Sequence, residues 1–163
     1  MMTMTRRTHT TVDSPIGRLT LVADGGVLTG LYLPDHTRGP RPEVLGADRP
    51  DGFEEVAAQL EEYFAGARTG FTVPVAPTGT PFQRAVWREL TAIPYGQTRA
   101  YGQIADALGG PHLTRAVGAA NGRNPISILV PCHRVVGSDG SLTGYAGGLD
   151  RKRFLLDLEA RTR

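Results

Sequence analysis

Three short β-prone runs packed into the first 33 residues constrain this chain more than any other feature. Thr8–Val12, Arg18–Ala23 and Val27–Leu33 are separated only by Ser14-Pro15-Ile16-Gly17 and Asp24-Gly25-Gly26, both turn signals. Connections that short join antiparallel neighbours, because a parallel pair needs a much longer crossover. A Pro/Gly-rich stretch from Pro34 to Gly52 then reads as a long surface loop. Asp51 and Glu54 have capping-box spacing, and Phe53, Val56, Ala57, Leu60 and Phe64 recur at helical period before Gly66, which is placed to end the helix. A short antiparallel sheet plus a helix makes a small α/β unit over residues 1–78, with Phe71–Thr78 as linker.

The pattern changes at Thr80. Pro81 stands at a first helical position and Gln83 completes a second capping box, with Phe82, Val86 and Leu90 on one face. After the turn Ile93-Pro94-Tyr95-Gly96, two short helices are predicted over Tyr101–Leu108 and roughly Leu113–Ala120, broken by Gly109-Gly110-Pro111. That is the outline of a helix-turn-helix. A last helix from Asp150 to about Ala160 presents Phe154, Leu155 and Leu158 to a core. The chain therefore reads as α/β overall, with a mainly helical second unit over residues 79–163.

Charge divides the same way. Residues 1–78 hold 7 Arg against 10 Asp/Glu, a net −3; residues 79–163 hold 10 Arg and one Lys against 6 Asp/Glu, a net +5. The second half is the better partner for a polyanion. Arg6 and Arg7 are followed by no apolar stretch, which speaks against a signal peptide, and no run approaches the roughly 18 apolar residues of a membrane span. The expectation is a cytoplasmic protein with no membrane partner. A single cysteine makes neither an internal disulfide nor, alone, a zinc site. His9, His36 and His112 have no partners at ligand spacing and read as surface histidines, so neither metal nor cofactor is expected.

The chemistry concentrates in Asn124-Pro125-Ile126-Ser127-Ile128-Leu129-Val130-Pro131-Cys132-His133-Arg134-Val135. A buried apolar run, Ile126–Val130, delivers Pro131, a stiffening residue, and then a cysteine beside a histidine. A thiol attacks as thiolate, and an ordinary cysteine near pKa 8.5 is mostly protonated at neutral pH. A histidine, an arginine or a helix N-terminus supplies the needed shift. Taken alone, these residues leave open an inert buried cysteine, because neighbouring side chains in extended backbone point to opposite faces. A turn at Pro131 is required to bring Cys132 and His133 into one arrangement.

Pro131-Cys132-His133-Arg134-Val135 resembles the active-site signature of the O6-alkylguanine-DNA alkyltransferases. Thr80-Pro81-Phe82-Gln83, Ile93-Pro94-Tyr95-Gly96, Arg115-Ala116-Val117-Gly118, Asn124-Pro125 and Tyr145-Ala146-Gly147-Gly148-Leu149 resemble family segments in the same order and spacing. The likeness is dense from Thr80 to Glu159 and thinner at Asp13–Gly17 and Tyr63–Gly66.

The resemblance implies direct-reversal DNA repair. An alkyl group passes from O6-alkylguanine, with O4-alkylthymine as a second substrate, to the protein's own Cys132 in one turnover. His133 takes the thiol proton through a water, Glu159 orients that histidine, Asn124 ties the loops around the cysteine, and Tyr101 donates to the departing guanine. Arg115 is the finger that fills the stack after base flipping from the minor groove, with Ala116, Thr80, Gln83, Gln103, Asn121 and Arg123 facing DNA. Val135, Tyr145, Ala146 and Gly147 line the base pocket; some relatives carry a hydrogen-bonding residue where Ala146 stands. The partner is duplex DNA carrying O6-alkylguanine, met by a protein expected to be monomeric in solution, with cooperative assembly on DNA left open. Three rivals stand beside this reading: a cysteine hydrolase built on Cys132, His133 and Glu159, a non-catalytic damage sensor, which the presence of Cys132 opposes, and a transcription regulator using the helix pair.

Overall fold

The computed structural model describes residues 7–37, 39–40 and 42–162. Strands β1 (Arg7–Val12), β2 (Leu19–Asp24) and β3 (Val27–Tyr32) form an antiparallel meander, bulged at Val22/Ala23. The Pro34–Gly52 stretch, expected to be loop alone, carries a four-residue helix α1 (Pro42–Leu45) and a short strand β4 (Ala47–Asp48) parallel to β1. The sheet order is β3-β2-β1-β4.

Helix α2 (Glu54–Phe64) follows, but without the expected Asp51 cap. Phe53 occupies the N-cap because its ring is buried in the core, and the Glu54 carboxylate accepts from Gly52 N–H at 2.8 Å. Leu19, Leu21, Leu28 and Leu31 of the sheet pack against Phe53, Val56, Leu60 and Tyr63. The linker is stapled to α2 by buried Gln59, which donates to Thr72 Oγ1 at 2.7 Å and accepts from Thr72 N–H at 3.0 Å.

Helix α3 (Pro81–Thr91) begins with the full Thr80/Gln83 capping box: Gln83 N–H donates to Thr80 Oγ1 (3.1 Å) and Thr80 N–H to Gln83 Oε1 (2.9 Å). Strand β5 (Arg99–Ala100) leads into α4 (Tyr101–Leu108), and a one-turn 3₁₀ segment (Pro111–Leu113) leads into α5 (Thr114–Gly122). Gly109 and Gly110 both lie at φ +146°, which side-chain-bearing residues rarely adopt, so the tight break between α4 and α5 depends on glycine. Trp87 Nε1 donates to Ala120 O at 2.9 Å, locking α3 to α5. Helix α6 (Leu149–Thr162) closes the fold, burying Leu155 and Leu158.

Both halves share one core, since Val86, Leu90, Ile104, Val117, Leu155 and Leu158 join the cluster begun by the sheet. They also share a sheet edge. Leu31 N–H donates to Pro125 O at 2.8 Å and Ser127 N–H to Leu31 O at 3.0 Å, so the segment leading to Cys132 extends β3. No helix among the described residues is long and apolar enough to cross a membrane.

Candidate active site

The apolar run Ile126–Val130 is not a strand beyond its first residues. It turns back on itself, with Val130 N–H donating to Ile126 O at 3.0 Å, and Ile128 sits at φ +75°. A β-branched residue in the left-handed region is strained by about 1–3 kcal/mol, and surrounding structure must hold it there. Asn124 does so: its Oδ1 accepts from Ile126 N–H (3.0 Å) and its Nδ2 donates to Val130 O (2.8 Å). Pro131 then opens a one-turn 3₁₀ helix, Cys132–Arg134, followed by strand β6 (Val135–Val136) parallel to β5. The turn required at Pro131 is present.

His133 and Glu159 meet in the interior, both essentially unexposed, with Nε2 to Oε2 at 2.7 Å. Glu159 is unusually well supplied with donors. Arg134 grips both oxygens, Nε to Oε1 at 2.8 Å and Nη2 to Oε2 at 3.0 Å, and spends Nη1 on Ile93 O. Tyr63 donates its hydroxyl to Oε2 at 2.6 Å, and Gly96 N–H approaches Oε1 at 3.4 Å. Burial alone raises the Glu159 carboxyl, but the hydrogen bond from His133 and then the hydrogen bonds and charge of Arg134 outweigh it and hold the group well below the usual carboxylate range. Burial pushes the His133 imidazole down, against the pull of Glu159, so the ring rests neutral beside a charged carboxylate. Because Glu159 only accepts, Nε2 carries the ring proton and Nδ1 holds the lone pair.

Burial pushes the Cys132 thiol up. Asn124, Tyr145 and Ser127 beside the sulfur and the charge of Lys152 act in the opposite direction. Lys152 is the chain's one lysine, wholly buried on α6, its Nζ donating to Thr143 O at 2.9 Å. Burial lowers its pKa to about 8, with the Cys132 charge as the counterweight. Three buried side-chain polar atoms have no hydrogen-bond partner among the described residues: Asn121 Oδ1, His133 Nδ1 and Tyr145 Oη. All three belong to residues around Cys132, and unpaired buried polar atoms are rare enough in folded proteins to point to a functional demand.

Cys132 opens on a cavity of about 330 Å³ whose wall includes Tyr101, Gly118, Asn121, Asn124, Tyr145 and Ala146. His36 and Thr37 also line it, although His36 was expected to be a surface residue. Thr37 N–H donates to Ala146 O at 3.0 Å, and Arg151 clasps Ile16 O, Pro34 O and Gly147 O at 2.9 to 3.1 Å. The N-terminal unit thus supplies one wall. Gly147 lies behind the wall, where an added Cβ would meet Leu33 at 2.6 Å. Val135, expected in the wall, is instead fully buried in β6 pairing with Arg99. His9 is half-buried, its Nδ1 3.2 Å from Leu45 O, and His112 is exposed. No group of three or more His, Cys, Asp or Glu among the described residues is arranged to hold a metal ion.

Arg115 and Ala116 are exposed on α5 and Arg123 at its end; Thr80 and Gln103 are exposed on the neighbouring helix starts. Gln83 and Gln103 both spend Oε1 on helix N-termini, Gln103 accepting from Ala100 N–H at 2.8 Å. Asn121, expected on the DNA face, is buried and turned to the cavity, its Nδ2 3.4 Å from Cys132 O, because it sits on the inner side of α5 with Val117 and Ala120. Sequence reasoning missed Tyr63, Lys152, Ser127 and the 36–37 segment, and gave Arg134 no role. The available signals were the tyrosine within Tyr63–Gly66 and a lone lysine among arginines.

The family model of the 6-O-methylguanine DNA methyltransferase DNA binding domain matches residues 81–161, and that of the 6-O-methylguanine DNA methyltransferase ribonuclease-like domain matches residues 8–77. A methylated-DNA–protein-cysteine methyltransferase of Mycobacterium tuberculosis is 53% identical over 151 residues, covering 93% of this chain and 91% of that one. Its namesake in Methanosarcina barkeri is 50% identical, covering 91% and 94%. Among solved structures, the Mycobacterium tuberculosis O6-methylguanine methyltransferase superposes with a TM-score of 0.88 at 50% identity, covering 96% of this chain and 94% of that one. The Mycobacterium tuberculosis OGT in complex with DNA gives 0.86 at 51%, covering 95% and 94%. With both halves of the chain matched in order, and half its residues shared with relatives over nearly their full length, the chain belongs to the 6-O-methylguanine DNA methyltransferase family.

Proposed function

We propose that this protein repairs O6-alkylguanine in duplex DNA by moving the alkyl group to Cys132, once per molecule. The observation that carries the reading is the cavity at Cys132, bordered by α4 and α5 and rimmed by buried polar atoms without partners. Residues 79–163 act as the DNA-binding and acceptor unit, and residues 1–78 back the site. The damaged base leaves the stack, at a cost of a few kcal/mol, and enters the cavity. Arg115, exposed near the start of α5, fills its place, and Ala116 allows close approach to the minor groove, with Thr80, Gln83, Gln103 and Arg123 alongside.

The thiol proton passes to His133 Nδ1, directly or through water, with Glu159 holding the ring in the Nε2–H form. The sulfur electron pair forms the S–C bond as the C–O6 bond breaks, and that bond's electrons stay on guanine. Tyr101, in the cavity wall, donates a proton to the leaving base, help of a kind typically worth 10²–10⁴-fold. The thioether product resists water, so turnover stops at one. Mass spectrometry after mixing with O6-methylguanine duplex tests this: one added methyl per chain is expected, and unchanged mass with consumed substrate refutes it.

A further inference from the structure

The buried carboxylate of Glu159 receives hydrogen bonds from both units of the protein. His133 and Arg134 reach it from the acceptor turn, while Tyr63 reaches it from α2, 96 residues away in sequence, and its hydroxyl lies 2.6 Å from the same Oε2 that accepts from His133. We propose that Tyr63 is a positioning residue for alkyl transfer, donating to the Glu159 oxygen that holds His133 and so keeping that oxygen an acceptor for the ring rather than a base that takes its proton. The inference rests on the reading of Cys132 as the alkyl acceptor.

The donors around Glu159 compete for one carboxylate. A carboxylate offers roughly four lone-pair sites, and here five donors converge on them, two from Arg134 and one each from His133, Tyr63 and the Gly96 N–H. The charge on Oε2 is divided among the imidazole, the phenol and the Nη2 of Arg134, with the phenol and the imidazole closest. Burial and the adjacent Glu159 charge raise the Tyr63 phenol far above its ordinary range, so it stays a donor at every working pH. The other charged or titratable groups facing this cluster are Arg134, whose guanidinium also stands over the Tyr95 ring at 5.7 Å, Tyr95 itself, Tyr145 beside Cys132, and Lys152 of α6. The hydrogen bond of the Tyr63 hydroxyl among the described residues goes to Glu159 and not to any of these. Removing the hydroxyl returns Oε2 charge to His133, makes the ring easier to protonate, and so raises the pH below which it no longer accepts the thiol proton.

The test measures single-turnover methyl transfer from O6-methylguanine duplex to the full-length protein, from about pH 5 to about pH 9. In Tyr63→Phe the acid limb moves to higher pH by about half a unit or more. Site-specific replacement of Tyr63 by a fluorinated tyrosine, a stronger donor that deletes no ring, moves it to lower pH, and this second arm stands even where the phenylalanine variant folds poorly. A purely structural role slows transfer without moving the limb. Wild-type alkylated at Cys132 with both variants keeping the wild-type acid limb overturns the role of Tyr63 alone. Wild-type that never labels Cys132 overturns the functional reading beneath it.

Discussion

Thr37 donates its backbone N–H to the carbonyl of Ala146 at 3.0 Å, which makes a loop of the N-terminal sheet unit and the loop beside Cys132 a single wall. Arg151 reinforces the seam with three bonds to backbone carbonyls from both sides. His36, seated edge-on to Tyr32 at 5.6 Å, completes that wall. His36→Ala therefore widens the cavity at the wall supplied by the N-terminal unit. Rates measured with O6-benzylguanine and O6-methylguanine duplexes are expected to shift several-fold in favour of the benzyl substrate; an unchanged ratio means the wall does not select alkyl size.

Acid should weaken the fold in two stages. His133 is held neutral below its unfolded value of about 6.5, so the unfolded chain gains a proton that the folded one refuses, and stability falls as pH drops through that value. Glu159, depressed when folded, adds stability above its unfolded value of about 4.3 that is lost as pH falls toward the lower folded one. Glu159→Gln leaves Arg134 buried and poorly paired, and is expected to cost about 3–5 kcal/mol at neutral pH. Denaturant unfolding at a series of pH values should show the variant flatter than wild type in the lower stage.

Lys152 is expected to trade stability for reactivity. Its folded pKa of about 8 lies below the unfolded value, so between the two the folded state refuses a proton the unfolded chain binds, and burial of the amine destabilises the fold at neutral pH. Lys152→Met should raise stability by about 1–3 kcal/mol. The same change removes the positive charge near Cys132, so the thiol ionises less readily and is alkylated by iodoacetamide, with loss of iodide, several-fold more slowly at neutral pH. Thermal unfolding and a pH–rate profile of thiol modification read the two effects separately; equal thiol pKa in both proteins removes Lys152 from the site.

What the sequence disclosed was whatever acts over a few residues. The Thr80/Gln83 box, the bounds of α4, the glycine break after it and the three β-strands with their turns all depend on residues within a few positions of one another, and they formed where expected. Asp51 failed as a cap because a tertiary demand, burial of the Phe53 ring, set the helix start. The Ile126–Val130 run has the composition of a strand, yet Asn124 and the left-handed Ile128 bend it into the turn that carries Cys132. Val135 lies in the core and Asn121 at the cavity, each away from its expected surroundings, because helix and strand orientation, not local composition, decides which side faces the cavity. Tyr63, Lys152 and His36 reach the site only through contacts across the fold, so the Tyr63–Gly66 segment and the lone lysine mark two of them without saying what they touch.

Arg115→Ala should separate base extrusion from chemistry. The side chain is exposed on α5, away from the buried cluster of Cys132, His133 and Glu159, so the fold and the thiol are expected to be untouched. Repair of O6-methylguanine in duplex should drop by tenfold or more, while reaction with free O6-benzylguanine, which has no stack to leave, stays near wild type. Equal losses on both substrates would assign Arg115 to the fold instead.

The most direct test of the account follows the fate of the alkyl group. Wild-type protein is mixed with excess duplex carrying a labelled O6-methylguanine, the time course is followed, and the protein is digested for peptide mapping. A burst of about one label per chain is expected, found only on Cys132, and a Cys132→Ser variant should still bind the duplex but accept no label, because a serine hydroxyl is a far weaker nucleophile. Turnover beyond one equivalent, or label on any other residue, would contradict it and favour a cysteine hydrolase.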